Sequence, residues 1–151
     1  MARLNSKTDR AVEYAMSEAR AAKDIAALPD AVRTVALVHT AQGVIDNGGL
    51  QYFFEADFPG NPPYALFIEA YRNIGAADAA SALAQAVSLF PFAEPHLHAA
   101  KRNKFMDRFK DQDGEPVNRP FEPLTKLLCG NKSVWRLLEA HVEKNAKSLG
   151  V

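Results

Sequence analysis

Cysteine is almost absent from the sequence, which excludes an intrachain disulfide framework. The single cysteine, Cys129, lies in the run Leu127-Leu128-Cys129-Gly130. This run looks like the end of an apolar helix, so we expect a buried and unreactive thiol. The chain must therefore be stabilised by its core, and at 151 residues a domain buries about 70% of its unfolded surface.

Long apolar segments are also missing. No run reaches the roughly 18 apolar residues that a membrane-spanning helix needs. The polar residues that follow Met1 lack the apolar stretch of a signal peptide. We therefore expect no membrane association and a cytoplasmic location.

An excess of either charge is absent as well, because 18 basic and 18 acidic residues cancel. The two signs are nevertheless separated along the chain. Residues 40–100 contain one basic and six acidic side chains, whereas residues 101–151 contain eleven basic and seven acidic ones. The sequence thus predicts an acidic middle part and a basic C-terminal part. This asymmetry would permit head-to-tail self-association, although no pattern specifies an oligomer.

Helical periodicity runs through the whole sequence. An amphipathic stripe at helical spacing is formed by Tyr64, Phe67, Ile68, Tyr71 and Ile74. Residues 30–46 are apolar on most sides, which is typical of a central, buried helix. We expect further helices over residues 12–26, 78–90, 94–110, 121–129 and 132–148. The prediction is an all-α protein in which residues 1–151 form one compact domain, a bundle of about six to eight helices.

Signals for catalysis or metal binding are weak. His96 and His98 are two residues apart, so on a helix they would face different directions. Asp111 and Asp113, in the loop before Gly114, lack the further oxygen ligands of a calcium site. The sequence also lacks a serine nucleophile motif, a phosphate-binding glycine loop and an HExxH pair. We therefore predict no catalytic residues, no metal and no cofactor.

The segment from Asp46 to Glu55 is the most unusual part of the sequence. Asn47-Gly48-Gly49 should end the buried helix, because glycine adopts left-handed backbone angles without a steric penalty. A short helix over Leu50–Glu55 should follow, with Gln51 and Tyr52 offering polar groups. Two interpretations stay open, a structural corner made by Asn47, Gly48 and Gly49, or a binding site.

Three short motifs occur in an order that matches a known family. The Asn-Gly-Gly corner is followed by Tyr52-Phe53-Phe54, an aromatic helix by Ile74-Gly75-Ala76, and an alanine-rich helix by Phe90-Pro91. Over roughly residues 30–148 the chain resembles the bacterial DNA-mimic protein family. The resemblance implies an all-α fold. It also implies a name-giving relative that displays carboxylates in imitation of DNA phosphates and so occupies DNA-binding proteins.

The leading hypothesis is a non-enzymatic module that binds another protein, as a regulator or an immunity-type inhibitor would. Its candidate binding residues all lie in the acidic middle part of the chain and are Asp46, Asn47, Gln51, Tyr52, Glu55, Asp57 and Glu69. A second hypothesis is a small-molecule or enzymatic pocket near His39, Asp46 and Gln51, although His39 and Asp46 are two helical turns apart.

A third hypothesis is DNA mimicry by the carboxylates of the middle part, which are Asp46, Glu55, Asp57, Glu69 and Asp78. Duplex DNA carries one charge per about 1.7 Å, so a mimic should be strongly acidic, whereas this chain is neutral. A basic cluster follows at Lys101, Arg102, Lys104, Arg108 and Lys110. We expect it to be solvated or to pair with the acidic middle part, because no nucleic-acid recognition motif accompanies it.

Overall fold

A computed structural model describes residues 6–110, 112–115 and 120–151. These residues form a compact, all-α, single-domain bundle of seven helices, as predicted. The helices are α1 (Lys7–Ala21), α2 (Asp30–Glu55), α3 (Tyr64–Asn73), α4 (Ala77–Val87), α5 (Ala99–Asp107), α6 (Glu122–Leu128) and α7 (Lys132–Lys144). Short 3₁₀ helices cover Ile25–Ala27, Pro95–Leu97 and Ala146–Leu149. No helix in the described ranges is both long enough and apolar enough to cross a membrane.

Side-chain caps and prolines set several helix starts. The Ser6 hydroxyl accepts a hydrogen bond from the Asp9 amide at 3.0 Å and caps α1. The Asn131 side chain accepts from the Ser133 and Val134 amides and caps α7. Pro29 immediately precedes α2, where its fixed φ suits a helix start.

Three predicted helices differ clearly from the expectation. The helix expected over residues 12–26 lies at Lys7–Ala21, and Ile25–Ala27 form a separate 3₁₀ turn. The segment 94–110 is divided into a 3₁₀ turn, Pro95–Leu97, and α5, because the backbone leaves the helical region at Glu94 (φ 49°) and His98 (φ −126°, ψ 70°). The C-terminal helix stops at Lys144 and continues as a 3₁₀ turn.

Helix α2 is the centre of the bundle and contacts α1, α3, α5, α6 and α7. This placement confirms the expectation from its nearly continuous apolar sequence. At its C-terminal end, Phe53 and Phe54 are fully buried. The Phe53 ring packs edge-on against Phe67 at 5.3 Å, and the Phe54 ring packs edge-on against Phe90 at 4.9 Å. Such edge-to-face aromatic pairs add to the stabilisation from burial.

The Asn47-Gly48-Gly49 segment kinks α2 rather than ending it. Only Gly49 leaves the helical region, with φ 74° and ψ −172°, and the helix resumes through Glu55. The Leu50 amide just after the kink donates to Thr125 Oγ1 at 3.2 Å. The kink therefore docks α2 onto α6.

The expectation of a buried cysteine is wrong. Cys129 is exposed, because it directly follows α6 with an extended backbone (φ −68°, ψ 126°). Its neighbour Leu128 takes the buried position instead. The Cys129 thiol donates to the Asp46 carbonyl oxygen over 3.8 Å.

Candidate functional site

A buried hydrogen-bond network includes Gln42, in the middle of α2. The Gln42 side chain is fully buried, and its amide nitrogen donates to Asp46 Oδ1 at 2.8 Å and to the Leu128 carbonyl oxygen at 2.7 Å. Its amide oxygen accepts from the Tyr71 hydroxyl at 2.8 Å. Burial, and then the charge of Asp46, raise the pKa of Tyr71, so this hydroxyl keeps the proton that it donates.

Asp46 accepts the largest number of hydrogen bonds in this network. Its Oδ1 also accepts from the Gly130 amide at 2.7 Å, and its Oδ2 accepts from Trp135 Nε1 at 3.0 Å. The carboxylate therefore joins α2 to the turn between α6 and α7. Because both oxygens already hold donors from the chain itself, Asp46 has the contacts of a structural residue.

A groove opens where α2 kinks beside α6, and we call it the kink groove. It has a volume of about 490 Å³, and its lining residues are Asn47, Gly48, Gly49, Leu50, Gln51, Tyr52, Glu55, Pro120, Phe121, Glu122 and Thr125. Four of the sequence-predicted binding residues, Asn47, Gln51, Tyr52 and Glu55, come together here. The structural corner and the candidate binding site are thus the same part of the molecule, because Asn47, Gly48 and Gly49 form one wall of the groove.

Tyr52 is the most prominent side chain of the kink groove. It is 49% exposed, whereas its neighbours Phe53 and Phe54 are fully buried. Beside it, Glu55 Oε2 accepts from Gln51 Nε2 at 3.4 Å and from Lys110 Nζ at 3.5 Å. The groove thus combines an exposed aromatic ring with a row of hydrogen-bonding groups.

Two further predicted binding residues lie elsewhere and pair within the chain. Asp57 Oδ1 accepts from Arg102 Nη2 at 2.7 Å. Arg102 is 1% exposed, and it also donates to the carbonyl oxygens of Phe54, Pro95 and His96. Glu69 lies on α3, 3.7 Å from the Arg33 guanidinium.

His39 lines a different groove, between α1 and α7, which we call the acidic groove. Its volume is about 650 Å³, and its lining residues are Ser6, Thr8, Asp9, Val12, Glu13, His39, Trp135, Leu138 and Glu139. The Trp135 ring, which lies edge-on to His39 at 6.0 Å, also binds Asp46. The predicted pocket near His39, Asp46 and Gln51 is therefore divided, with Trp135 lying between His39 and Asp46.

The acidic groove joins residues from both ends of the chain. Asp9 and Glu13 come from α1, and Glu139 comes from α7; none of the three forms an ion pair with another described residue. Burial lowers the pKa of His39, with Asp9 opposing the effect, and His39 Nδ1 has no hydrogen-bond partner in the described ranges. Sequence reasoning missed this groove because it considered only the acidic residues of the middle part.

The candidate metal ligands do not converge. The His96 ring faces Tyr64 at 6.1 Å, whereas the His98 ring faces Phe92 at 6.2 Å. Within the described ranges, no three His, Cys, Asp or Glu side chains are grouped as metal ligands would be. Asp111, of the faint calcium-loop pattern, lies outside the described residues.

Comparison with known proteins gives a family and no individual relative. The family model described as DMP19-like protein matches residues 26–145, which is most of the chain. The match includes the whole kink groove, and in the acidic groove it includes the lining residues from α2 and α7 but not those from α1. No curated protein and no solved structure matches the chain.

Proposed function

The chain belongs to the DMP19-like protein family, and on this premise we propose that it acts without catalysis, by binding a partner protein through the kink groove. The observation that carries the proposal is the exposed Tyr52 ring, which lines an open groove on an otherwise well-packed helix. Tyrosine is enriched among the residues that dominate binding energy at protein interfaces. The regulator and inhibitor roles suggested by the sequence are both forms of such binding.

The surroundings of Tyr52 support an interface. The α2 kink and the buried rings of Phe53 and Phe54 hold this part of the backbone, so little order would have to be gained on binding. Asn47, Gln51 and Glu55 line the same groove and add polar groups beside the exposed Tyr52 ring. An aromatic centre with a hydrogen-bonding rim is the usual organisation of a protein interface.

Exchanging Tyr52 for alanine should therefore strongly weaken partner capture. The loss of an interface tyrosine at a hot spot costs about 2 kcal/mol or more, which is roughly a thirtyfold weaker affinity. The measurement is quantitative affinity purification from native cell lysate with wild-type and variant baits. Tyr14→Ala is the matched control, because Tyr14 is 41% exposed on α1, outside the groove.

The outcomes separate the proposals. Loss of the same protein with Tyr52→Ala, but not with Tyr14→Ala, supports the kink groove as the interface. Equal capture by both variants would reject it. A substrate that the purified protein turns over, with the activity lost in Tyr52→Ala, would reject the non-enzymatic role and favour a small-molecule site in the same groove.

A second candidate function is DNA mimicry. The acidic groove is a better place for it than the middle part of the chain. Four of the five middle carboxylates bind donors within the chain: Asp46 binds Trp135, Glu55 binds Lys110, Asp57 binds Arg102 and Glu69 binds Arg33. Carboxylates that are already paired imitate phosphates poorly. Asp9, Glu13 and Glu139 form no ion pair with another described residue, so they are available to a basic partner surface.

Neutralising two carboxylates of the acidic groove should weaken binding to a basic ligand. The chain has one tryptophan, and because Trp135 lines this groove, its fluorescence reports occupancy directly. We expect an arginine-rich peptide to bind Glu13→Gln/Glu139→Gln about tenfold more weakly than wild type at low salt. Asp78→Asn/Glu94→Gln removes the same charge elsewhere and should bind as wild type. Equal weakening in both variants would show only a net-charge effect and reject the acidic groove.

A further inference from the structure

A third groove lies beside α5, and we call it the basic groove. It has a volume of about 370 Å³, and its lining residues are Pro91, Phe92, Lys101, Lys104, Phe105 and Arg108. It shares no lining residue with the kink groove or the acidic groove. Its cations come from the basic cluster that the sequence singles out.

The structure divides that basic cluster into two sets. Arg102 is buried and bound to backbone carbonyl oxygens and Asp57, and Lys110 pairs with Asp107 at 3.2 Å and with Glu55 at 3.5 Å. These two cations therefore serve the fold. The other three, Lys101, Lys104 and Arg108, line the basic groove, and none of them pairs with a carboxylate within the described ranges.

The floor of the basic groove is aromatic and fixed in place. Phe92 and Phe105 are half-buried, and both rings pack on the buried Phe90, at 5.6 Å and 5.3 Å respectively. The Lys101 ammonium lies 5.8 Å from the centre of the Phe92 ring, within the range of a cation–π contact. The groove therefore presents apolar surface surrounded by three positive charges.

We propose that the basic groove binds an acidic peptide segment of a partner protein, one that carries an aromatic or aliphatic side chain between its carboxylates. The apolar side chain would lie on Phe92 and Phe105, and the carboxylates would pair with Lys101, Lys104 and Arg108. Charge complementarity of this kind selects partners and speeds their encounter.

Single-stranded nucleic acid fits this groove less well. Nucleic-acid channels offer free aromatic faces on which successive bases stack, along a basic path that follows the backbone. Here Lys101 lies over one face of Phe92, and both phenylalanine rings are held at an angle against Phe90. The three cations are spread over about two turns of α5 and its C-terminal cap. This short span suits a short peptide better than an extended strand.

The test is fluorescence anisotropy with a fluorescein-labelled peptide of sequence Glu-Asp-Glu-Phe-Asp-Glu as the probe. We expect saturable binding that weakens as salt is added, because exposed charges are screened. Reversing two charges in Lys104→Glu/Arg108→Glu should weaken binding at least about tenfold. Lys126→Glu/Lys132→Glu is the matched control, since both lysines are exposed on other helices. Circular dichroism establishes that both variants are folded.

Two further ligands make the result decisive. A peptide with serine in place of phenylalanine should bind about tenfold more weakly, because it has nothing to place on the aromatic floor. Equal binding of both peptides, equal weakening in both protein variants, or no binding at all would overturn the proposal. Tighter binding of an oligothymidylate of the same charge would also overturn it and assign the groove to nucleic acid.

Discussion

Exchanging Arg102 for methionine should lower the free energy of unfolding by about 3–5 kcal/mol. The guanidinium is 1% exposed and donates to the carbonyl oxygens of Phe54 at 2.9 Å, Pro95 at 2.8 Å and His96 at 3.1 Å. Methionine fills similar space but leaves these acceptors without donors. The partner Asp57 is largely exposed, so water can replace its ion pair, and the three carbonyl groups, of which that of Phe54 is buried, account for most of the loss.

Urea unfolding at constant pH measures this effect. Lys104→Met is the matched control, since Lys104 is exposed two residues further along α5 and should change stability by no more than about 0.5 kcal/mol. Arg102→Lys should lie between wild type and Arg102→Met, because an ammonium keeps the charge but cannot reach all the carbonyl oxygens at once. Equal stability of Arg102→Met and Lys104→Met would disprove the structural role of Arg102.

The second large effect is expected at the kink of α2. Gly49 has φ 74° and ψ −172°, a region that only glycine adopts readily, so Gly49→Ala should cost about 1–3 kcal/mol from backbone strain. The new Cβ would also lie 3.0 Å from Thr125 Cγ2 and disturb the hydrogen bond between Leu50 and Thr125. We therefore expect a total loss of about 3 kcal/mol.

The neighbouring glycines test whether the effect is specific to the kink. A Cβ at Gly48 would lie 2.5 Å from Tyr52 Cβ, so Gly48→Ala should also destabilise, by about 1–3 kcal/mol. Gly43 lies earlier in α2, and a Cβ added there would have no neighbour within 4 Å, so Gly43→Ala should be neutral or stabilise by about 0.4–1 kcal/mol. Thermal or urea unfolding of the three variants gives the comparison. A similar small change in all three would contradict the geometry of the kink.

The helical architecture could be predicted from local patterns. The apolar sequence of residues 30–46 indicates a central helix, and α2 is the central helix. Pro29 and Pro91 act locally, so the breaks near them were predictable, as was a disturbance at Asn47-Gly48-Gly49. That Gly49 alone departs from helical geometry was not, because the kink also depends on Thr125 of α6, which meets it only in the folded protein.

The candidate site was predictable only in part. Asn47, Gln51, Tyr52 and Glu55 are close in sequence, and the helix that contains them brings them together in the kink groove. Asp46 belongs to the same segment, yet Trp135 and Gly130 take its carboxylate into a structural contact. Its partners come from a distant part of the chain, so no local pattern could have indicated this role.

The sequence by itself determined the all-α class, the family, the central helix and the position of its disturbance, because helix periodicity and glycine conformation depend on neighbouring residues. Only the tertiary structure decided which charges remain available. Arg33, Arg102 and Lys110 pair with the carboxylates of Glu69, Asp57 and Glu55, whereas Asp9, Glu13 and Glu139 meet at one groove from opposite ends of the chain. The Coulomb energy of two charges depends on their distance in space, which the fold sets, and not on their separation along the chain.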